Sequence, residues 1–431
     1  MNDLIIVGGG LAGLAAATWC ARDGLRVVLL ERAGALGGRA RTDVHGGFSH
    51  NLGGHALYVG GHAERGLRDL GVDFRGSPPP TGGLLGIARG QLHRFPAGLF
   101  SMLATDLFGF AAKIDAARAL ATLVRTDPKP LRDVPWRQWL GQLAPRLEVR
   151  DAIASIARVT TYANAPDRAS AGATVAQIQR GASPGVLYLD DGWQTLVDGL
   201  ERAAVQAGVR IVRAAPATSV VVTGNVVRGV TVAGGERVGA KAVLLATGPA
   251  TVRSLLGAPA LGANLVPSHV ACLDLGLSGL PHPERLVAFG LDEPTYFSVH
   301  SAVARLAEHG ATVHLMKYLD PDVPEDPRAA EAELERVADR VQPGWRNRVE
   351  TRRFLPSLVA SNALVAAGSR RPAVDGSGLP GAYLAGDWIG DDGMLADAAV
   401  ASARAAAIRI SQDLRGTRAR GTEGPATMAA Q

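Results

Sequence analysis

Short apolar runs alternate along this chain with longer stretches whose apolar positions recur every three or four residues. That is the pattern of strands alternating with helices. Residues 4–7, Leu-Ile-Ile-Val, predict a first strand, and the small-residue stretch from Leu11 to about Arg22 a helix that stops near Gly24. Residues 25–31 predict a second strand that ends in an acid, Glu31. From 78 to 96 the pattern changes to Pro- and Gly-rich turns around short strands. Residues 96–125 then predict one or two amphipathic helices whose apolar face is expected to be buried, and 132–166 continues helical. Strand–helix alternation returns at Asp190, Asp191 and Gly192, which lead into an amphipathic helix ending at Gly208. A hairpin meander feeding a buried strand (Ala242 to Ala246) follows, then strands and a charged helix from Pro327 to Val341. Residues 382–410 repeat strand, glycine turn and small-residue helix.

The α/β pieces are therefore split. Residues 1–77, 185–259 and 360–414 predict one α/β unit, and 78–184 and 260–359 predict an inserted α+β unit. The last segment, 415–431, reads as a disordered tail.

Composition narrows the class. With 47% hydrophobic residues the chain is globular, and its 431 residues exceed a single core. No apolar run approaches 18 residues, so no membrane span is expected; contact of the 96–125 helices with a membrane surface stays open. A strand beginning at Leu4 leaves no room for a secretory leader. Cys20 and Cys272 are the only cysteines, too few for a disulfide framework or a zinc site, and a cytoplasmic location is expected. The net charge of +5 comes almost wholly from arginines scattered along the chain, the usage of a GC-rich bacterial genome; the lysines are Lys113, Lys129, Lys241 and Lys317. A nucleic-acid footprint would be clustered, and none is expected.

Chemistry enters between the first strand and helix, where Gly8, Gly10 and Gly13 stand in G-x-G-x-x-G spacing. The first allows a tight turn, the second lets backbone approach a pyrophosphate, and the third lets helix and strand pack closely. Helix-start N–H groups then face the phosphate charge. Glu31, about 20 residues further on, is placed to accept hydrogen bonds from a ribose and disfavours a 2′-phosphate. Residues 36–58 add three glycine pairs. Gly46 and Gly47 read as a hairpin turn, and Gly37–Gly38 and Gly53–Gly54 raise the question of what the backbone approaches so closely.

Four ordered motifs resemble the FAD-dependent amine oxidase and phytoene desaturase superfamily: "VGGGLAGLAAA…LLER", "LGGRART", "DDGWQTLVDGLERAAVQAGVRIVRAAPATSVVV" and "GAYLAGDWIGDDGMLADAAVASARAA". The resemblance implies a Rossmann-type FAD-binding domain with an inserted α+β substrate domain, and FAD held non-covalently. By it, Gly8, Gly10, Leu11, Ala12, Gly13, Glu31 and Arg32 would hold the ADP half, with Ala217 beside adenine. Gly38 and Arg39 would meet the pyrophosphate or the flavin side, and Gly53, Gly54 and His55 the ring. Gly386 and Asp387 would meet the ribityl–pyrophosphate region, and Met394 and Leu395 the pyrimidine edge. Asp391 and Asp392 read as caps for the helix near Met394. The lysine that amine oxidases place near the flavin has no counterpart between Lys241 and Lys317; His269 is the nearest cation. Candidate catalytic groups are His55, Tyr296, Lys317 and Trp388, and Tyr58, Tyr162, Tyr296 and Trp388 are candidates for an aromatic pocket. No metal site is expected. The reading is an oxidoreductase moving a hydride from a C–H bond of an apolar or partly apolar small molecule to flavin N5. Its electron acceptor (oxygen, a quinone or another carrier) is undetermined. An amine or amino-acid oxidase and a flavin-dependent isomerase without net redox are the alternatives. A partner-binding protein of the Rab escort type is a further one.

Overall fold

The structure, a computed structural model, describes residues 2–96 and 98–422. The first strand (Asn2–Val7) lies at the centre of a seven-stranded sheet, flanked in parallel by Val27–Leu30 and Arg237–Leu245. Arg210–Val212 extends it in parallel on one side and Ala382–Leu384 joins Arg237–Leu245 in parallel on the other, so chain segments remote in sequence complete one sheet. Strands Ala217–Thr223 and Val226–Val232 form the expected meander into Arg237–Leu245. Leu4, Ile5 and Ile6 are fully buried because both faces of this sheet are covered. On one face lie the helices Leu11–Arg22, Gln194–Gln206 and Leu395–Thr422, rich in the alanines that allow close approach. This is the expected Rossmann-type domain.

A second seven-stranded sheet joins Leu84–Ala88 and Gln91–Arg94 to strands from residues 268–361. Its alternation is sharp. On Ser268–Leu277, Ala271, Leu273, Leu275 and Leu277 pack toward the helix Pro327–Val341, while Val270 and Cys272 face the other way. On Ala311–Tyr318, Val313 and Leu315 face that helix, and Met316 and Tyr318 do not. The second set of side chains looks toward the first domain, and this decides much of the chemistry below.

Helices Phe110–Arg125, Trp136–Leu143, Leu147–Thr161 and Ala171–Ala182 form a separate core. Phe110–Arg125 reverses the expectation for its apolar face: Ala112, Ala116, Ala119 and Leu123 are buried, while Phe110, Ile114, Leu120 and Val124 are exposed. Small residues let it approach its neighbours closely, and the bulky ones are left outside. No helix among the described residues is long and apolar enough to cross a membrane. The last helix runs to Thr422, into the segment read as a tail, and residues 423–431 lie outside the described residues.

Candidate active site

A cavity of about 1100 Å³ opens between the two sheets, beyond the carboxyl ends of the parallel strands. Its dinucleotide end is built by the G-x-G-x-x-G turn. A Cβ on Gly8, which has a φ of +110°, would stand 2.5 Å from the Ala246 carbonyl oxygen. One on Gly13 would stand 1.9 Å from the Gly8 carbonyl oxygen, so this glycine is required for helix–strand contact. At Gly10 the nearest protein atom would be 3.8 Å away: the space beside it is kept for something that is not protein. Gly10 caps the Leu11–Arg22 helix with no side-chain acceptor and no acid follows in the first turn, leaving the N–H groups of the first turn for an anion. Leu11 and Ala12 line the cavity beside it, and Gly37, Ala40 and Arg39 close the same end.

Glu31 sits at the end of the second strand, accepting from Gly9 N (2.7 Å) and Ala33 N (2.8 Å). Backbone bonds from Ala214 and Ala215 to Ala33 and Glu31 bring the approach to Ala217 alongside it, and Arg32 is exposed at the same edge. Neither Glu31, Arg32 nor Ala217 lines the large cavity, and Met394 is buried just outside it, while Leu395 lines it. Gly38, though turned outward, has nothing of the protein nearer to its Cβ position than Gly10 Cα at 3.9 Å. These features fit a diphosphate flanked by a ribose. Along the wall, Arg39 makes a two-pronged pair with Asp387 (both contacts 2.8 Å) and donates to the Ala360 carbonyl. Asn362 donates to the same carboxylate through its backbone and its side chain. Burial alone would raise the pKa of Asp387; Arg39 and Asn362 outweigh it and hold the carboxyl below its usual range. Gly386 completes this wall.

At the opposite end, Gly53, Gly54 and His55 face Tyr58, Tyr162, Val270, Met316 and Leu358. Tyr162 donates to the Gly54 carbonyl (2.5 Å), and Tyr58 to the Thr160 carbonyl. His55 lies 3.0 Å from the Gly53 carbonyl through Nδ1 and packs on Trp193; burial pushes its pKa down to about 4, so it is neutral at pH 7. Cys272 sits behind Gly53, where burial holds its thiol protonated and unreactive.

Of the other catalytic candidates, none is on this wall. Tyr296 is one layer behind, its hydroxyl 3.3 Å from that of Tyr188. Trp388 is fully buried and donates to the Thr247 carbonyl. Lys317 points away on the opposite strand face from Met316, its Nζ between Glu325 (2.8 Å) and Glu333 (2.7 Å). His269 likewise alternates away from Val270. Asp391 pairs with Arg132 (2.7 Å) in place of the expected cap.

Sequence reasoning missed a buried polar chain behind Gly54. His314 Nδ1 lies 2.7 Å from Asp274, and both are fully buried. Arg353 binds the second oxygen of Asp274 and reaches Asp43 and the Asn51 carbonyl. His300 stacks on Tyr188 (3.7 Å) and meets His314 edge-on at 4.7 Å. Burial keeps His300 neutral. Only strand alternation, with polar residues at 274, 312 and 314 in the buried stretches of two largely apolar strands, hinted at it.

The comparisons agree with this geometry. The profile of the family described as flavin containing amine oxidoreductase matches residues 11–275. A curated relative, an uncharacterized protein of Mycobacterium tuberculosis H37Rv, is 33% identical over 152 residues, which are 31% of this chain and 28% of the relative's length. Among solved structures, an oxidoreductase from Methanosarcina mazei superposes with a TM-score of 0.74 at 16% identity, covering 94% of this chain and 99% of that one. Putrescine oxidase bound to putrescine gives 0.70 at 19% identity, covering 95% and 98%. Cyclohexylamine oxidase from Brevibacterium oxydans gives 0.64 at 16%, covering 96% and 99%. The glycine turn of Gly8, Gly10 and Gly13, the Arg39–Asp387 wall and the matched profile lead to one conclusion: this chain belongs to the flavin-containing amine oxidoreductase family, a family of FAD-dependent oxidoreductases.

Proposed function

We propose that this protein oxidises a C–H bond of an apolar or partly apolar small molecule. FAD, when bound, supplies the hydride acceptor. The observation that carries the reading is the wall facing Gly53 and Gly54. It is formed by Tyr162, Val270, Met316 and Leu358, with no lysine among the described residues that line the cavity. Of the two carboxylates there, Asp387 is already paired with Arg39. Burial raises the pKa of Asp397, which accepts from Ala63 N and lies 3.4 Å from Arg180. An ammonium group on that wall would lose its water with no counter-charge to replace it. An apolar substrate is instead positioned by shape, and exclusion of water does the rest. His55, neutral at pH 7, lines the cavity with Trp193 and Thr247, whose Nε1 and Oγ1 have no hydrogen-bond partner; all three are able to hydrogen-bond a substrate heteroatom or the cofactor.

Amine oxidation is the second reading, favoured by the family's description and by the putrescine and cyclohexylamine oxidases among the similar structures. Anaerobic bleaching of the flavin separates the two. Alkenes, alcohols and other apolar compounds are expected to bleach it, and amines are not. If only amines bleach it, and air then yields peroxide and an imine-derived carbonyl, the first reading falls. We further propose non-covalent attachment, with the yellow colour passing into the filtrate after denaturation. Colour retained by the protein would direct attention to His55.

A further inference from the structure

A second cavity, of about 810 Å³, lies within the helical insert, between Trp136–Leu143 and Leu147–Thr161. Its walls are largely apolar: Trp136, Leu140, Ala154, Ala157 and Ala163. Into it Leu147–Thr161 brings Arg158. One guanidinium nitrogen, Nη2, donates to the carbonyls of Gly290 (2.8 Å) and Leu291 (3.2 Å). Nε is buried and has no hydrogen-bond partner. Carbonyls orient a guanidinium but do not neutralise it, and the carboxylates that act on it, Asp151 and Asp292, do so through space.

The other charges in the cavity do not remove the problem. Arg137 is matched by Asp167 through two contacts. Arg150 is tied to the carbonyls of Ala144 and Pro145. Asp151 precedes Arg158 by two helical turns, about 10 Å along the axis. Burial pushes its carboxyl toward the neutral form. Arg158 is half-buried, and with its buried Nε unbonded the guanidinium keeps a donor and a charge that an anion in the cavity would take up.

We infer that this cavity is a binding site for the carboxylate of an otherwise apolar molecule, with Arg158 as its cation. Arg158, the guanidinium whose Nε is left unbonded, stands among apolar side chains and matches a negative charge carried on an apolar body. The inference stands apart from the redox reading, because it concerns binding and not turnover. The two cavities nevertheless share a wall: Thr161 lines this one, and Tyr162, the next residue, lines the other.

The test is calorimetric titration of the holoprotein with octanoate, with octanol as the uncharged control. Octanoate is expected to bind saturably at one site and octanol at least tenfold more weakly. Arg158→Gln should lower octanoate affinity at least tenfold. Ala154→Leu keeps the cation but fills the cavity, and should also block octanoate, which keeps the inference testable if R158Q fails to fold. Absence of saturable octanoate binding overturns it, as does equal binding of octanol. So does octanoate binding that survives A154L, or that survives R158Q and perturbs the flavin spectrum, which would place the ligand in the first cavity.

Discussion

Replacing Asp274 by Asn tests whether the buried chain behind Gly54 is held by charge. Asp274 is fully buried; one oxygen meets His314 at 2.7 Å and the other meets Arg353 Nε (3.1 Å) and Nη2 (2.7 Å). Asparagine keeps the shape and one acceptor, but it turns an amide toward the guanidinium and leaves that charge short of a partner. Breaking a buried pair on one side costs about 3–5 kcal/mol. Arg353 is partly exposed and keeps Asp43, so the lower end, about 3 kcal/mol, is expected. That is a large share of the 5–15 kcal/mol typical of folded proteins. The assay is denaturant unfolding at pH 7, followed by circular dichroism and by tryptophan fluorescence so that a second transition would be seen. The pH dependence has a definite sign. Burial alone would raise the pKa of Asp274, but His314 and Arg353 hold it below 3.8 in the folded state. Its contribution is therefore complete above that value and is lost as pH falls through the lower folded value, so the gap between wild type and variant closes in acid. In a double-mutant cycle, Arg353→Met should cost less in the D274N background than in wild type. A gap below 1 kcal/mol at pH 7, or strict additivity in the cycle, would refute the reasoning.

Gly10→Ala and Gly13→Ala should separate the two uses of glycine: G13A, with its Cβ 1.9 Å from the Gly8 carbonyl oxygen, should destabilise the apoprotein. G10A, with 3.8 Å of clearance, should leave the apoprotein's unfolding midpoint unchanged but weaken FAD at least tenfold in a fluorescence titration. Lys317→Met should leave the rate of flavin reduction within twofold of wild type while lowering stability by about 1–3 kcal/mol, because Glu325 and Glu333 lose their shared cation; a hundredfold loss of rate would contradict its placement. His55, with a folded pKa of about 4 against 6.5, binds its proton more readily in the unfolded chain. Apoprotein stability should therefore fall as pH drops from 6.5 to 4, and His55→Asn should flatten that part of the stability–pH curve; an unchanged curve would count against the buried, neutral imidazole.

The local pattern alone determined a good deal. The strand at residues 4–7, the helix from Leu11, the turn at Gly46–Gly47 and the helix from Pro327 to Val341 are all written in residues close together in sequence. The glycine spacing was equally legible, because tight turns and close backbone approach exclude a Cβ whatever the rest of the chain does. Tertiary structure decided which face of each remaining element meets the cavity. Lys317 and Met316 are neighbours, and the two-residue period of a strand sends one to a glutamate pair and the other to the site. The Phe110–Arg125 helix shows an apolar pattern that does not say which of its faces will be buried. The chain of Asp274, His300, His314 and Arg353 joins residues up to 79 positions apart, and the Nε of Arg158 is left without a hydrogen-bond partner only once the helices enclose it. Such features depend on burial and on contacts between distant strands and helices, and a linear pattern carries neither.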